Sequence, residues 1–399
     1  MNLATFTLLA LVLGNPAPAA RYRISVGPVE SDLAATVLAA DLPDPGEARS
    51  AAVLLDGKEV PAQLERSQKG ARVWFQGGDL KKGERREWML ELRPVPRTGE
   101  PRMSLEKGAE GRIQVKAAGK PFTALIPDPG AQKPYLYPVL LDGLHMTRRW
   151  PSEEAPDEDH DHPHQRSFWF THGDVNKVDF WSVGPKAGKT VQKEVRSAAG
   201  GEVFASIATT GEWIAPGGKK LLEDEREYRF YDLGAAGRFI DFTVALKPAD
   251  EPVVFGDTKE GTFGIRLAES MKERRGGLIV NSRGQEGMDE AWGKPAEWVD
   301  YTGKVEGRTV GVAIFDDPSS FRHPTTWHVR DYGLFAANPF GLHDFTKGKA
   351  EGSYRLDLGQ TVRFRYRVFL HPGSTEEARV AAAYRAYANP PEVKVEPQG

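Results

Sequence analysis

Between Thr361 and Leu370 the chain reads TVRFRYRVFL. Val362, Phe364, Tyr366, Val368 and Leu370 share one parity, and Arg363, Arg365 and Arg367 share the other. Successive side chains of a strand point to opposite faces, so the pattern predicts a half-buried antiparallel strand with its arginines in solvent or ion-paired. FIDFTVALKP repeats it, with Ile240, Phe242, Val244 and Leu246 inward; EREYRFYDL, GTFGIRLAE, GGLIVNSRG and RTVGVAIFDD add further strands. The 42 glycines and 29 prolines supply the turns that many short strands need. A single helix is expected: Ser374 and Glu377 form an S-x-x-E capping box, an alanine-rich run follows over 378–388, and Asn389-Pro390 stops it. The expected class is all-β.

The first residues, MNLATFTLLALVLGNPAPAA, read as a signal peptide over 1–20: an apolar run from Leu3 to Leu13 precedes the small-residue site Ala17-Pro18-Ala19. This predicts export, to the periplasm or the medium. Residues 21–97 alternate in short pieces (RYRISV, AAVLLDG, ARVWFQG, REWMLELRP), the texture of a small β-sandwich. A proline-rich linker over 98–102 leads to a β domain over 103–389, and 390–399 is read as a C-terminal tail. A domain of that length exceeds an ordinary sandwich; two large antiparallel sheets stacked face to face, a β-supersandwich, accommodate it. No later segment approaches about 20 uninterrupted apolar residues, so no transmembrane segment is expected. A formal charge of −3 gives no nucleic-acid footprint, and zero cysteines exclude disulfides and thiolate metal sites.

Chemistry concentrates in DEDHDHPHQRSFWFTHGDVNKVDFW, residues 157–181, which holds four of the nine histidines. Pro163 biases His162 towards extended backbone, so 162–172 is predicted to be strand-like. His162, His164 and Arg166 then share a face, and the same parity carries on through Phe168, Phe170, His172 and Asp174. Ten strand residues span about 33 Å, so His162 and His172 reach one atom only if the chain bends. Partners are expected from TTWHVRDYGLFAANPFGLHDF, which sets His328, Arg330, Asp331, Asn338 and His343 among aromatic rings. Polar groups in such a context either face a pocket or satisfy one another. Trp292, beside Gly293 in a loop-like segment, is the expected sugar platform, and the acidic run 153–161 is expected to be a solvated loop.

PYLYPVLLDGLHMTRRWP, DHPHQRSFWFTHGDVNKVDFW and WHVRDYGLFAANPFG stand in this order, and over roughly Lys133 to Asn389 the chain resembles the PmoA-like family of exported bacterial proteins. Gln165 stands where members of that family often carry histidine. In architecture the chain is also similar to the galactose mutarotase-like supersandwich proteins, a resemblance that implies a sugar ligand without fixing the reaction.

The leading expectation is an exported carbohydrate-active enzyme (epimerase, lyase or glycoside hydrolase) that needs no cofactor. His162, His164, His172 and His328 are its candidate acid–base groups, because imidazole titrates near neutrality. Arg166 and Asn338 would hold hydroxyls or an oxyanion, Asp174 or Asp331 would orient an imidazole, and Trp292, Arg330 and His343 would line the substrate. A second expectation is a metal-dependent hydrolase or oxidoreductase, with a divalent metal on His162, His164 and His328. A third is a non-catalytic glycan-binding protein. All require folding to gather the imidazoles near 162–164 and near 328–343. There is no G-x-S-x-G and no phosphate-binding glycine motif.

Overall fold

The computed structural model describes residues 20–67 and 70–398. The expected signal peptide, Ala20 apart, lies outside the described residues. Alternation is realised as strands throughout, in two units.

The smaller unit packs a five-stranded sheet, in the order Val393–Gln398, Ala20–Val26, Arg86–Arg93, Ser50–Leu55, Lys58–Val60, on a three-stranded sheet of Leu33–Leu42, Gly70–Leu80 and Ala62–Ser67. Ile24, Leu38, Val73, Phe75, Trp88 and Leu90 fill the space between them. The C-terminal segment read as a tail is therefore a strand: Val395 pairs with Ile24 and covers an edge that would otherwise present unpaired backbone groups.

The larger unit is the β-supersandwich. Its nine-stranded sheet runs Trp327–Val329, Leu334–Ala337, Gly261–Arg266, Phe168–His172, Tyr135–Leu141, Lys120–Ile126, Ile113–Ala117, Met103–Lys107, with Leu144–His145 paired to Tyr135–Leu141. Its eight-stranded sheet runs Lys189–Ala199, Phe204–Ile214, Lys220–Asp232, Arg238–Pro248, Val362–Pro372, Arg308–Asp316, Trp298–Val305, Leu278–Asn281. Aromatic pairs cross the core between the sheets: Phe168 with Phe242 at 5.3 Å, Phe170 with Phe364 at 5.3 Å, Phe263 with Tyr366 at 5.0 Å. Each such ring contributes about 1.5–3 kcal/mol by leaving water.

The outer face of the eight-stranded sheet is covered. Phe204, Tyr231, Phe239, Phe315 and Phe369 pack against Val380, Ala382 and Ala383 of the helix Val380–Ala388, and against Ala34 and Ala35 of the small sandwich. The capping box forms as a reciprocal pair, Ser374 N to Glu377 Oε2 at 2.8 Å and Glu377 N to Ser374 Oγ at 3.2 Å. Arg379, left-handed at φ 55°, delays the regular helix to Val380. Of the three alternating arginines Arg363 and Arg365 are exposed, while Arg367 is buried against Asp241. Two further short helices, Gly287–Ala291 and Leu342–Phe345, sit in loops. Among the described residues no helix is long and apolar enough to cross a membrane.

Candidate functional site

The other outer face, on the nine-stranded sheet, is covered by loops. Register aligns His328, Ala336, Gly264, Trp169 and Tyr135 in one row across five adjacent strands. At about 4.8 Å per strand the row spans about 19 Å. Gly264 is required at its centre: a Cβ there would stand 2.6 Å from Trp169 Cζ2. The indole lies over that gap and joins Tyr135, Tyr137, Trp181, Leu334 and Ala336 in a dry layer. The hollow expected between the imidazoles is thus filled by tryptophan. Four polar atoms of this face, Trp169 Nε1, Trp181 Nε1, Thr171 Oγ1 and Thr262 Oγ1, are buried without a protein partner, and Thr171 and Thr262 are register neighbours. Buried polar groups are nearly always bonded, so these four single the face out.

Above the layer sits the histidine loop. It is no strand: His162 and Ser167 are both left-handed at φ 48°, and regular pairing begins only at Phe168. The predicted parity fails there, so Phe168, Phe170 and His172 face the core while Trp169 and Thr171 face the loop. Two fully buried guanidiniums hold the loop. Arg148 donates to Asp161 Oδ1 at 2.5 Å and to the carbonyls of His162 and Gln165; Arg266 donates to the same Asp161 oxygen at 2.7 Å and to Gln165 Oε1. Partial burial opposes ionisation of Asp161, but Arg266 and Arg148 hold its carboxyl well below the usual carboxylate range. Gln165 is a brace. The acidic run expected to be solvated is half engaged as well: Lys272, buried, takes Asp159 and Glu269, and Arg149 takes Asp157 and Glu158.

What remains open is a polar rim. The His162 side chain is 41% exposed; its Nδ1 lies 3.0 Å from Asp161 Oδ2, and its ring stacks on Tyr332 at 5.1 Å and 4°. Arg266 lies on Tyr332 at 4.7 Å and fixes that ring in turn. His164 meets His162 edge-on at 5.7 Å and leans on Trp181 at 6.4 Å; burial, then Lys133 and His162, push its pKa down to about 3. Arg166 lies over Tyr135, and Arg330 over Tyr332. Lys133, fully buried just before the Tyr135 strand, donates to the Trp181 carbonyl, and burial pushes its pKa down to about 7. Lys133, Arg266 and Tyr332 escaped the sequence reading. The parity of GTFGIRLAE, which sets Arg266 on the side of Gly264, was the available signal for one of them.

Several expected site residues lie elsewhere. His172 is inside the core, with Nε2 on the Gly256 carbonyl at 2.8 Å and Phe340 beside it; burial pushes its pKa down to about 4. Asp174 caps its own turn through Lys177 N and Nζ, and Asp331 pairs with the surface Arg274, so neither orients an imidazole of the rim. Asp161 has that position. Asn338 is buried with its amide spent on the Thr258 carbonyl and Phe340 N. His343 is exposed on the short 342–345 helix, its backbone N–H on Asp257. His328 shares the sheet face but not the rim: it is 3% exposed, accepts from Trp292 Nε1 at 3.3 Å and packs near Phe345. Burial, then Arg330, pushes its pKa down to about 3. Trp292 therefore seals His328 and offers no platform at the rim. The metal set is not assembled either: among the described residues no three His or acidic side chains converge as ligands. Clefts of about 550, 560 and 640 Å³ lie in the small sandwich and under the C-terminal helix, and none of these three is lined by His162, His164 or His328.

The loop, the row and the rim all fall within residues 112–385, which match the model of a family of unknown function, DUF6807. The chain belongs to that family. No curated protein matches the sequence. Among solved structures it is similar to an alpha-mannosidase from Enterococcus faecalis, at 10% identity and a TM-score of 0.41, over 96% of this chain and 46% of that one. The chain thus spans less than half the length of that neighbour.

Proposed function

We propose that this DUF6807 protein is a carbohydrate-active enzyme that takes a sugar at the rim of His162, His164, Tyr332, Arg166 and Arg330, and transfers a proton at carbon, as lyases and epimerases do. The observation that carries this is the Asp161–His162 pair on its doubly braced loop. A carboxylate 3.0 Å from Nδ1 fixes the tautomer and ring orientation and leaves Nε2 to take or give the proton. Exposed rings and planar donors suit a sugar, whose apolar face stacks while its hydroxyls take hydrogen bonds.

Hydrolysis of a glycosidic bond needs two disposable carboxyl groups. Around the rim Asp161 is held by two arginines, Asp179 accepts from Trp181 N and Ser182 N, Asp128 accepts from Gly130 N, and Glu260 pairs with Lys259. That engagement is why a lyase or epimerase is preferred over a hydrolase.

The test is turnover on a panel of neutral, acidic and oxidised oligosaccharides in deuterated water, read by NMR for solvent deuterium at a sugar carbon. His162→Asn should lower the rate by about 10²–10⁴ with sugar binding retained. Binding without turnover of any member would sink the enzyme and leave a glycan-binding protein.

A further inference from the structure

Two guanidiniums at the rim donate no hydrogen bond among the described residues. The Arg330 side chain makes no hydrogen bond and no ion pair among the described residues; the neighbouring Asp331 is committed to Arg274, and Arg330 Nε is buried without a partner. Its guanidinium lies 5.7 Å from the Tyr332 ring, on which His162 also stacks. Arg166, two residues from His164, likewise donates no hydrogen bond: its nearest carboxylate, Asp128 Oδ2, is 3.7 Å away, and its Nε too is buried without a partner. Its side chain is 18% exposed, so one edge reaches the rim. Arg148 and Arg266 on the same face also leave Nε without a partner, but their terminal nitrogens donate to the loop, which those of Arg166 and Arg330 do not. An arginine carries five donors in a planar fork matched to carboxylates, and burying any of them unpaired is costly. Arg166 and Arg330 stand on either side of His162 and His164.

We infer that the substrate is an acidic sugar, an oligosaccharide bearing carboxylates, with Arg166 and Arg330 each reading an anionic group on either side of the two histidines. This rests on the sugar-binding reading above and adds the substrate class.

The experiment is titration calorimetry with oligogalacturonate and oligomannuronate, against neutral cello- and manno-oligosaccharides of equal length, at low and high salt. The acidic ligands should bind at least about tenfold tighter at low salt and lose that margin at high salt. Arg330→Gln and Arg166→Gln should each weaken acidic ligands about tenfold more than neutral ones. Arg166→Lys, which keeps the charge but not the fork, should fall between, and circular dichroism checks that each variant folds. Equal binding of neutral and acidic sugars would overturn this inference and leave the sugar site standing. Binding of neither by the folded wild-type chain would overturn both.

Discussion

On the outer face of the eight-stranded sheet the buried charges of Arg367 and His371 meet partners. Arg367 closes on Asp241 through two hydrogen bonds, at 2.5 and 2.8 Å; His371 lies 3.1 Å from Asp300, whose second oxygen accepts from Thr375 Oγ1 at 2.7 Å. On the outer face of the nine-stranded sheet, among the described residues, His164 and His328 have no carboxylate partner, the side chains of Arg166 and Arg330 donate no hydrogen bond, and Thr171 and Thr262 Oγ1 have no protein partner. Both faces arise from the same strand parity. One is finished by a helix and a second domain; the other is left with unspent polarity. A protein pays for such groups in stability, and sites are where the cost persists.

The largest effect should come from the carboxylate that two buried arginines of the second face share. Asp161→Ala leaves Arg148 and Arg266 facing each other, both fully buried, and should cost about 3–5 kcal/mol in urea unfolding. Asp241→Ala strands one buried guanidinium, that of Arg367, which also stacks on Tyr387 at 4.5 Å, together with the Tyr231 hydroxyl, and should cost about 2–3 kcal/mol. If the two losses came out in reverse order, the loop would owe its shape to something other than its arginines.

Proton linkage should separate the faces by sign. His164, His172 and His328 hold folded values of about 3, 4 and 3, below the unfolded value of about 6.5. A depressed value gives stability that is complete above pH 6.5 and drains as the pH falls towards 4, by up to about 1.4 kcal/mol per pH unit for each group. Burial disfavours the charged form of His371, but Asp300 outweighs it and raises the pKa. Its contribution is complete below pH 6.5 and is lost as the pH climbs through the folded value. His328→Phe should flatten the acid limb of a Tm-against-pH curve, and His371→Phe the limb above neutrality. One variant flattening both would abolish the contrast.

Strand parity at 238–248 and 362–372 made the sheets legible, because a buried face imposes period two wherever the pairing lies. It failed at the site for a local reason. DHPHQR reads as extended through Pro163, yet left-handed His162 and Ser167 turn the chain, and what selects that turn is Arg148 and Arg266, the latter a hundred residues away on another strand. Asp161 was passed over as part of a solvated acidic run for the same reason. Lys133 gave no signal because a lysine beside a proline looks like a turn until Trp181 closes over it. The strand Val393–Gln398 was missed because its alternation is short and its partner, Ala20–Val26, lies at the opposite end of the chain.

The smallest effect is the most discriminating. Thr171 and Thr262 are fully buried register neighbours, and neither Oγ1 has a protein partner. Valine has nearly the same shape without the hydroxyl, so Thr171→Val removes a desolvated group that returns no hydrogen bond and should raise stability by about 1 kcal/mol. On the finished face the matching change, Thr375→Val, deletes a bond to buried Asp300 and should lower stability by about the same amount. Urea midpoints at constant slope would read both. A stability loss in Thr171→Val would show that its hydroxyl is already satisfied in the free protein, and the nine-stranded sheet would then be no less finished than its partner.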